Sequence, residues 1–222
     1  MPLTDTSLQW IHPARQVRTQ QTLERLLDAS ELLLQDKGFE DIHVSEIALR
    51  ANTSVASFYR RFRDKNALLY SLHERFALAA MTTADDVLAP NRWVDSSIRE
   101  ILESFLPFLI EVLQSQGELQ RAVYRIALSD ESMRERSHRL RHYVLSGVSE
   151  LLLARKSEIG HREPERAVPF ALVQAGALLT EWYLTGMKDT SLLPLTDRQI
   201  ADQIIQSCCS YLITCNAETQ DA

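Results

Sequence analysis

The sequence predicts an all-α protein of about nine helices. Three observations carry that prediction. Apolar residues recur at three- and four-residue intervals along nearly the whole chain. Glycine is scarce, at 6 of 222 residues. No segment alternates apolar and polar residues as a half-buried strand would. The chain is 45% hydrophobic and 24% charged, as soluble globular proteins are. That balance excludes a disordered chain, a collagen and a disulfide scaffold. No run approaches the ~20 uninterrupted apolar residues of a membrane helix, so no membrane partner is expected. The opening MPLTDTSLQWIHPAR has no basic segment followed by an apolar run, so it does not read as a secretory signal. Three cysteines, Cys208, Cys209 and Cys215, crowd one terminal segment without a nearby His. An odd number so placed predicts apolar helix positions in a reducing, cytoplasmic setting, with no disulfide framework and no zinc site.

The elements follow in order. Residues 1–21 read as a flexible arm. Residues 22–36 place Leu23, Leu26, Leu27, Ser30, Leu33 and Leu34 on one stripe. Gly38 is expected to close that helix in the left-handed conformation, with Phe39 as its apolar contact. A short helix over 44–51 follows, with Glu46 placed to answer His43 in a capping box. The next starts after Ser54 and runs to about 61. Asp64 then caps a helix over 65–87 that turns Ala67, Leu68, Leu72, Phe76 and Ala79 inward. Pro90 and Asn91 break the pattern. Helices are predicted over 93–114, 118–128 and 131–159. Pro164 opens another over 165–185, which Gly186 ends. A last helix covers 197–215, and 217–222 read as a disordered tail.

Charge is unevenly placed. Residues 1–75 carry ten Lys/Arg against ten Asp/Glu, so the net charge of −6 belongs to the remainder. Within the first part Arg50, Arg60, Arg61, Arg63 and Lys65 face a single acid, Asp64. A local basic patch lets an acidic protein read DNA. The same stretch has the form of a helix-turn-helix. Asn52 suits a left-handed turn position and Ser54 an N-cap. Ile47, Ala48, Ala51, Phe58 and Phe62 have the spacing to fill the angle between the helices, and Ala48 and Ala56 are small enough for close approach. The second helix would offer its N-terminal residues to the major groove.

The run IALRANTSVASFYRRFRDKNALL resembles the TetR family of transcriptional regulators, whose pattern is roughly IAxxAGVSxGxxYxxFxxKxxLL. Ile47, Ala48, Ala51, Ser54, Tyr59, Phe62, Lys65, Leu68 and Leu69 match it. Asn52 stands where glycine is usual, and His43 where Thr or Ser caps the second helix and touches a phosphate. The resemblance covers residues 22–72. It implies that Ser54, Tyr59 and Lys65 bind phosphates, with His43, Arg60 and Arg61 beside the backbone. Val55, Ala56 and Ser57 would face base edges, Val55 and Ala56 meeting thymine methyls. Arg50 is a second source of specificity, and Arg15 and Arg18 an arm for a minor groove.

The resemblance also implies a C-terminal effector-binding and dimerisation domain over 73–216. Its last two long helices would pair with their copies in a homodimer through Phe170, Val173, Gln174, Ala177, Leu178, Glu181, Ile200, Ile204, Cys208 and Tyr211. Pro107 should bend its helix beside a pocket. Phe105, Phe108, Tyr124, Tyr143, Trp182 and Tyr183 are the candidate lining of that pocket, for a lipophilic or aromatic small effector. His138 and His142 have metal-ligand spacing, but Arg136, Arg139 and Arg141 around them disfavour a cation, so no metal and no cofactor is expected. No HExxH, P-loop, GxSxG or GxGxxG is present in the sequence, which argues against an enzyme. The expected function is a repressor, released by its effector from a palindromic double-stranded DNA operator. The alternative is a DNA-bound adaptor whose C-terminal domain engages a protein partner.

Overall fold

The computed structural model describes residues 17–186, 188 and 194–213. Arg15, Cys215 and the tail 217–222 lie outside them. Among the described residues run nine α-helices: α1 (Val17–Leu34), α2 (Val44–Arg50), α3 (Val55–Tyr59), α4 (Lys65–Val87), α5 (Ile98–Ser115), α6 (Gly117–Ala127), α7 (Glu131–Leu153), α8 (Pro164–Leu184) and α9 (Asp197–Ile213). No strand occurs among them. Residues 17–21, expected in the arm, already belong to α1, which therefore contains Arg18.

The described residues form two compact units, one within 17–79 and 118–134, the other within 80–117 and 135–213. In the first, the predicted α1 stripe is buried with Phe39, Ile47, Phe58, Phe62, Leu68 and Leu72. Helix α6 completes this core through Leu119, Ala122 and Val123, joined by Met133. The sequence reading placed that segment in the C-terminal domain. Its i, i+3, i+4 stripe shows that one face must be covered, but not by which partner.

The turn between α1 and α2 differs from expectation. Gly38 is extended, at φ −62° and ψ 150°, and not left-handed. The reason is that α1 closes earlier, through short-range bonds from the Asp36 and Lys37 N–H groups to the Leu33 carbonyl. A 3₁₀ turn, Phe39–Asp41, follows. Its carbonyls are gathered by one side chain. Lys65 Nζ donates to Phe39 O at 2.7 Å, Glu40 O at 3.0 Å and Ile42 O at 3.1 Å, and lies 4.6 Å from the Phe39 ring centre. Asp64 caps α4 as predicted, accepting from the Ala67 N–H at 2.8 Å. Further along α4, Arg75 reaches α1, with Asp28 at 2.7 Å and Glu31 at 2.6 Å. Tyr70 donates its hydroxyl to Asp130 at 2.6 Å, and the same carboxylate accepts from the Met133 N–H to cap α7.

In the second unit α5, α8 and α9 pack around Ile101, Phe105, Val168, Leu172, Trp182, Ile204 and Leu212. Helix α5 starts at Ile98, later than predicted. Ser97 and Glu100 form a capping box there, and Glu158 accepts from the Ile98 N–H at 2.9 Å. Helix α7 stops at Leu153, earlier than predicted, and Arg155 beyond it donates to the carbonyls of Trp93 and Ser96. Gly186 ends α8 at φ 92°, where a side chain would be strained.

Replacing Lys65 by Met should cost about 2–3 kcal/mol, because three carbonyls lose a charged donor. The urea midpoint should fall at unchanged slope, and an unmoved midpoint would refute the anchor. Gly38→Ala should stabilise by about 0.4–1 kcal/mol, since the backbone is compatible and an added Cβ meets nothing nearer than 3.4 Å. A lowered melting temperature would show that glycine is needed there. The Tyr70 hydroxyl holds the Asp130 carboxyl below the usual carboxylate range, against a smaller opposing effect of burial. A depressed carboxylate stabilises above its unfolded value and loses that contribution as pH falls through its folded one. The stability gap between wild type and Tyr70→Phe should therefore be full at neutral pH and close below about pH 4. A gap independent of pH would refute it.

Candidate nucleic-acid interface

Helices α2 and α3 are fixed from beneath. Ile47, Ala48, Ala51, Phe58 and Phe62 are at most 3% exposed, as their spacing predicts. The turn between the helices is a Schellman closure. The Thr53 N–H bonds Ala48 O at 2.9 Å and the Asn52 N–H bonds Leu49 O at 3.1 Å. Asn52 sits at φ 49°, the left-handed position its residue type suggested. Ser54 caps α3, its Oγ accepting from the Ser57 N–H at 3.1 Å.

What the core does not cover forms the outer edge. Ser54, Val55, Ala56, Tyr59 and Arg60 are exposed, Val55 at 41% and Tyr59 at 50%. Ala56 thus faces outward, and only Ala48 serves the close approach of the helices. Ser57 is half-buried. Arg50 is exposed at the end of α2, and His43 at its start. The capping box is carried by its acidic half. The His43 N–H donates to Glu46 Oε2 at 2.8 Å, while the His43 ring makes no cap bond. Lys37 binds the other oxygen of Glu46 at 2.6 Å. That bond first, and the His43 N–H second, hold the Glu46 carboxyl below its usual range.

The cations differ in their engagement. Arg63 pairs with Asp64 at 2.9 Å. Arg50, Arg60 and Arg61 have no carboxylate partner among the described residues. Arg61 is half-buried, and its Nε is buried without an acceptor among them. Burial, and then the charge of Arg60, lower its affinity for its proton. Lys65 was expected to bind a phosphate. It turns inward instead, its three protons committed to the Phe39, Glu40 and Ile42 carbonyls. One exposed residue escaped the sequence reading. Leu49 is 81% exposed beside Arg50, and its place about 200° around α2 from buried Ile47 was the available signal.

The expected effector pocket does not assemble from its six aromatics. Phe105, Trp182 and Tyr183 are buried in the core of the second unit, while Phe108 and Tyr143 are exposed. Tyr124 lies on α6, in the first unit. Tyr183 donates to Asp197 at 2.6 Å, and Tyr143 donates to Asp85. Large aromatics mark burial, which is not the same as a cavity. Two open grooves occur in the second unit without any of the six. One, of about 340 Å³, is lined mainly by Leu88, Pro90, Val94, Gly147 and Leu151. The other, of about 1100 Å³, lies between α5 and α9 and includes Pro107. His138 and His142 are both exposed, and no group of three possible metal ligands occurs among the described residues.

The expected dimer residues divide by helix. On α8, Phe170, Val173, Gln174, Ala177 and Glu181 are exposed and Leu178 is half-buried. On α9, Ile200, Ile204 and Cys208 are at most 5% exposed, so they serve the core of their own chain. Tyr211 is half-buried against Phe170, with ring centres 5.7 Å apart. By length and composition α8 could cross a membrane, with 39% of its apolar window buried. Its buried side packs on α5 and α9.

Comparison with known proteins agrees with this geometry. The family model for bacterial regulatory proteins of the tetR family matches residues 26–72. The Transposon Tn10 TetC protein of Escherichia coli is 27% identical over 93 residues, which are 40% of this chain and 45% of that protein. The chain thus spans less than half the length of that relative. A structure from Mesorhizobium loti assigned to the TetR-family regulators has a TM-score of 0.66 at 16% identity, over 88% of this chain and 97% of its own. A TetR transcription regulator from Haloarcula marismortui gives 0.64 at 16% identity, over 87% and 97%. The fatty acid degradation regulator FadR from Bacillus halodurans gives 0.59 at 18%, over 85% and 94%. These structures share the all-α fold. Residues 26–72 are thus similar to the helix-turn-helix domain of the tetR family of bacterial regulatory proteins.

Proposed function

We propose that the protein is a homodimeric transcriptional repressor that binds a palindromic DNA operator and is released by a small effector. The observation that carries the DNA reading is the outer edge of α2 and α3. It presents Arg50, Val55, Ala56, Tyr59 and Arg60 to solvent on a fully buried support. Three arginines there lack carboxylate partners among the described residues, in a chain of net charge −6. Phosphodiesters are the anions such a surface fits, and phosphate contacts set register while base contacts specify. Ser54 and Tyr59 are the proposed neutral phosphate donors, with His43, Arg50, Arg60 and Arg61 around them. Val55 and Ala56 are proposed to meet thymine methyls. The apolar outward stripe of α8, centred on Phe170, Val173 and Ala177, supports pairing with a second copy. Two-fold symmetry then matches an inverted repeat in the DNA.

The effector reading rests on the apolar core of the second unit. There the Trp182 indole N–H is fully buried without an acceptor among the described residues. A buried donor of this kind calls for an acceptor. A lipophilic molecule with one polar group is the proposed effector. Such a ligand biases two states by its differential affinity, so it and DNA weaken each other. The adaptor reading has its own support, because both grooves of the second unit are open and Val94, at their apolar member, is 75% exposed.

The test is selection of genomic DNA fragments by the full chain, read by sequencing, beside Tyr59→Ala. The expected result is one enriched inverted repeat, which Tyr59→Ala binds about tenfold more weakly, within the range of a lost phosphate contact and its packing. Enrichment of no sequence would overturn the operator reading. Release of the bound repeat by a lipophilic compound supports the repressor. Retention of DNA together with a captured partner protein supports the adaptor.

A further inference from the structure

One feature of the reader edge follows from none of the family matches. Ser54, Ser57 and Arg60 lie at i, i+3 and i+6, on one line along α3 and its exit. Their side chains are joined. Ser57 Oγ lies 3.0 Å from Ser54 Oγ, and Arg60 donates one guanidinium N–H to Ser57 Oγ at 2.6 Å. A serine hydroxyl has one proton to give and two lone pairs to offer. Ser57 has two of these three engaged, whichever of the two hydroxyls donates. Its half-buried position leaves it further back than exposed Val55 and Ala56. Arg60 in turn keeps four N–H donors for an outside acceptor, and stands next to Arg61 with no carboxylate paired to either among the described residues.

We infer that Ser57 is a positioning residue: it holds the Arg60 guanidinium toward a DNA phosphate and does not itself read a base. The inference rests on the DNA-binding reading above and goes further, by reassigning Ser57 from the base-reading set. An arginine on an exposed helix end samples many rotamers, and ordering it lowers affinity for whatever it must contact. The hydroxyl removes part of that cost before DNA arrives. Arg60 then acts on every sequence alike, while Val55 and Ala56 are left as the only α3 side chains facing base edges.

The test is a double-mutant cycle with the full chain on two duplexes, the enriched fragment and mixed genomic DNA, across a range of salt. Arg60→Ala should weaken binding to both and lower the slope of log K against log salt by about 0.9, the value for one phosphate. Ser57→Ala should weaken binding about two- to tenfold on both, the range for one hydrogen bond. In the Arg60→Ala background, Ser57→Ala should have no further effect, and Ser57→Thr should behave as wild type. Base preference in the selection should be unchanged by Ser57→Ala. A Ser57→Ala effect that persists without Arg60, or a base preference that changes at one position, would overturn the assignment and return Ser57 to base reading. Because mixed DNA reports the Arg60 contact without an operator, failure to enrich a sequence overturns the operator reading alone. Loss of binding to every duplex overturns both.

Discussion

Three main-chain carbonyls at the entrance to α2 converge on one ammonium, and the geometry of the reader depends on that meeting. A lysine at the first position of a helix is ordinarily disfavoured, because the helix dipole already places positive charge there. Lys65 escapes the penalty by facing away from its own helix, to Phe39, Glu40 and Ile42. Asp64 then answers the dipole in its place, accepting from the Ala67 N–H. The two neighbours therefore divide the work. The acid closes the start of α4, and the base ties that start to the turn from which α2 departs. Helices α2 and α3 are bracketed on both sides, and their outer faces inherit that constraint.

Much of this was legible in the residues. Spacing picked out the five buried residues between α2 and α3, and residue type picked out Asn52 as the left-handed turn and Ser54 and Asp64 as caps. Each is a local property, decided within a few residues by backbone sterics or one hydrogen bond. Gly38 shows how even a local signal can fail. Glycine permits the left-handed conformation without requiring it, and α1 ends at Leu34, two residues before its expected end, by another route. Lys65 shows a different limit. A motif states that a charge is needed at a position, and its direction depends on carbonyls about twenty-five residues away.

The C-terminal half was less legible because its questions concern what covers a face. A helical stripe such as Ile200, Ile204 and Cys208 announces burial equally well whether α5, α8 or a second chain supplies the cover. In α9 the cover is internal. In α8 two faces are apolar and the described residues cover only one, so Phe170 and Val173, which the sequence proposed for a partner, stay exposed. The aromatic residues expected around an effector failed as a set for the same reason, since size predicts depth without predicting a cavity.

The return of residues 118–134 to the first unit has a consequence for anyone recombining helix-turn-helix proteins of this fold. Swapping a DNA reader between proteins assumes that it can be cut out as one continuous stretch. Here a junction at the end of the helix-turn-helix, or anywhere in α4, would part Leu23, Phe39 and Leu68 from Leu119, Val123 and Met133. The donor stretch would carry a sheared core to its new host, and the host's own α6 would have to fit surfaces it never met. A graft that respects the physics takes two segments, or carries α6 across with the reader.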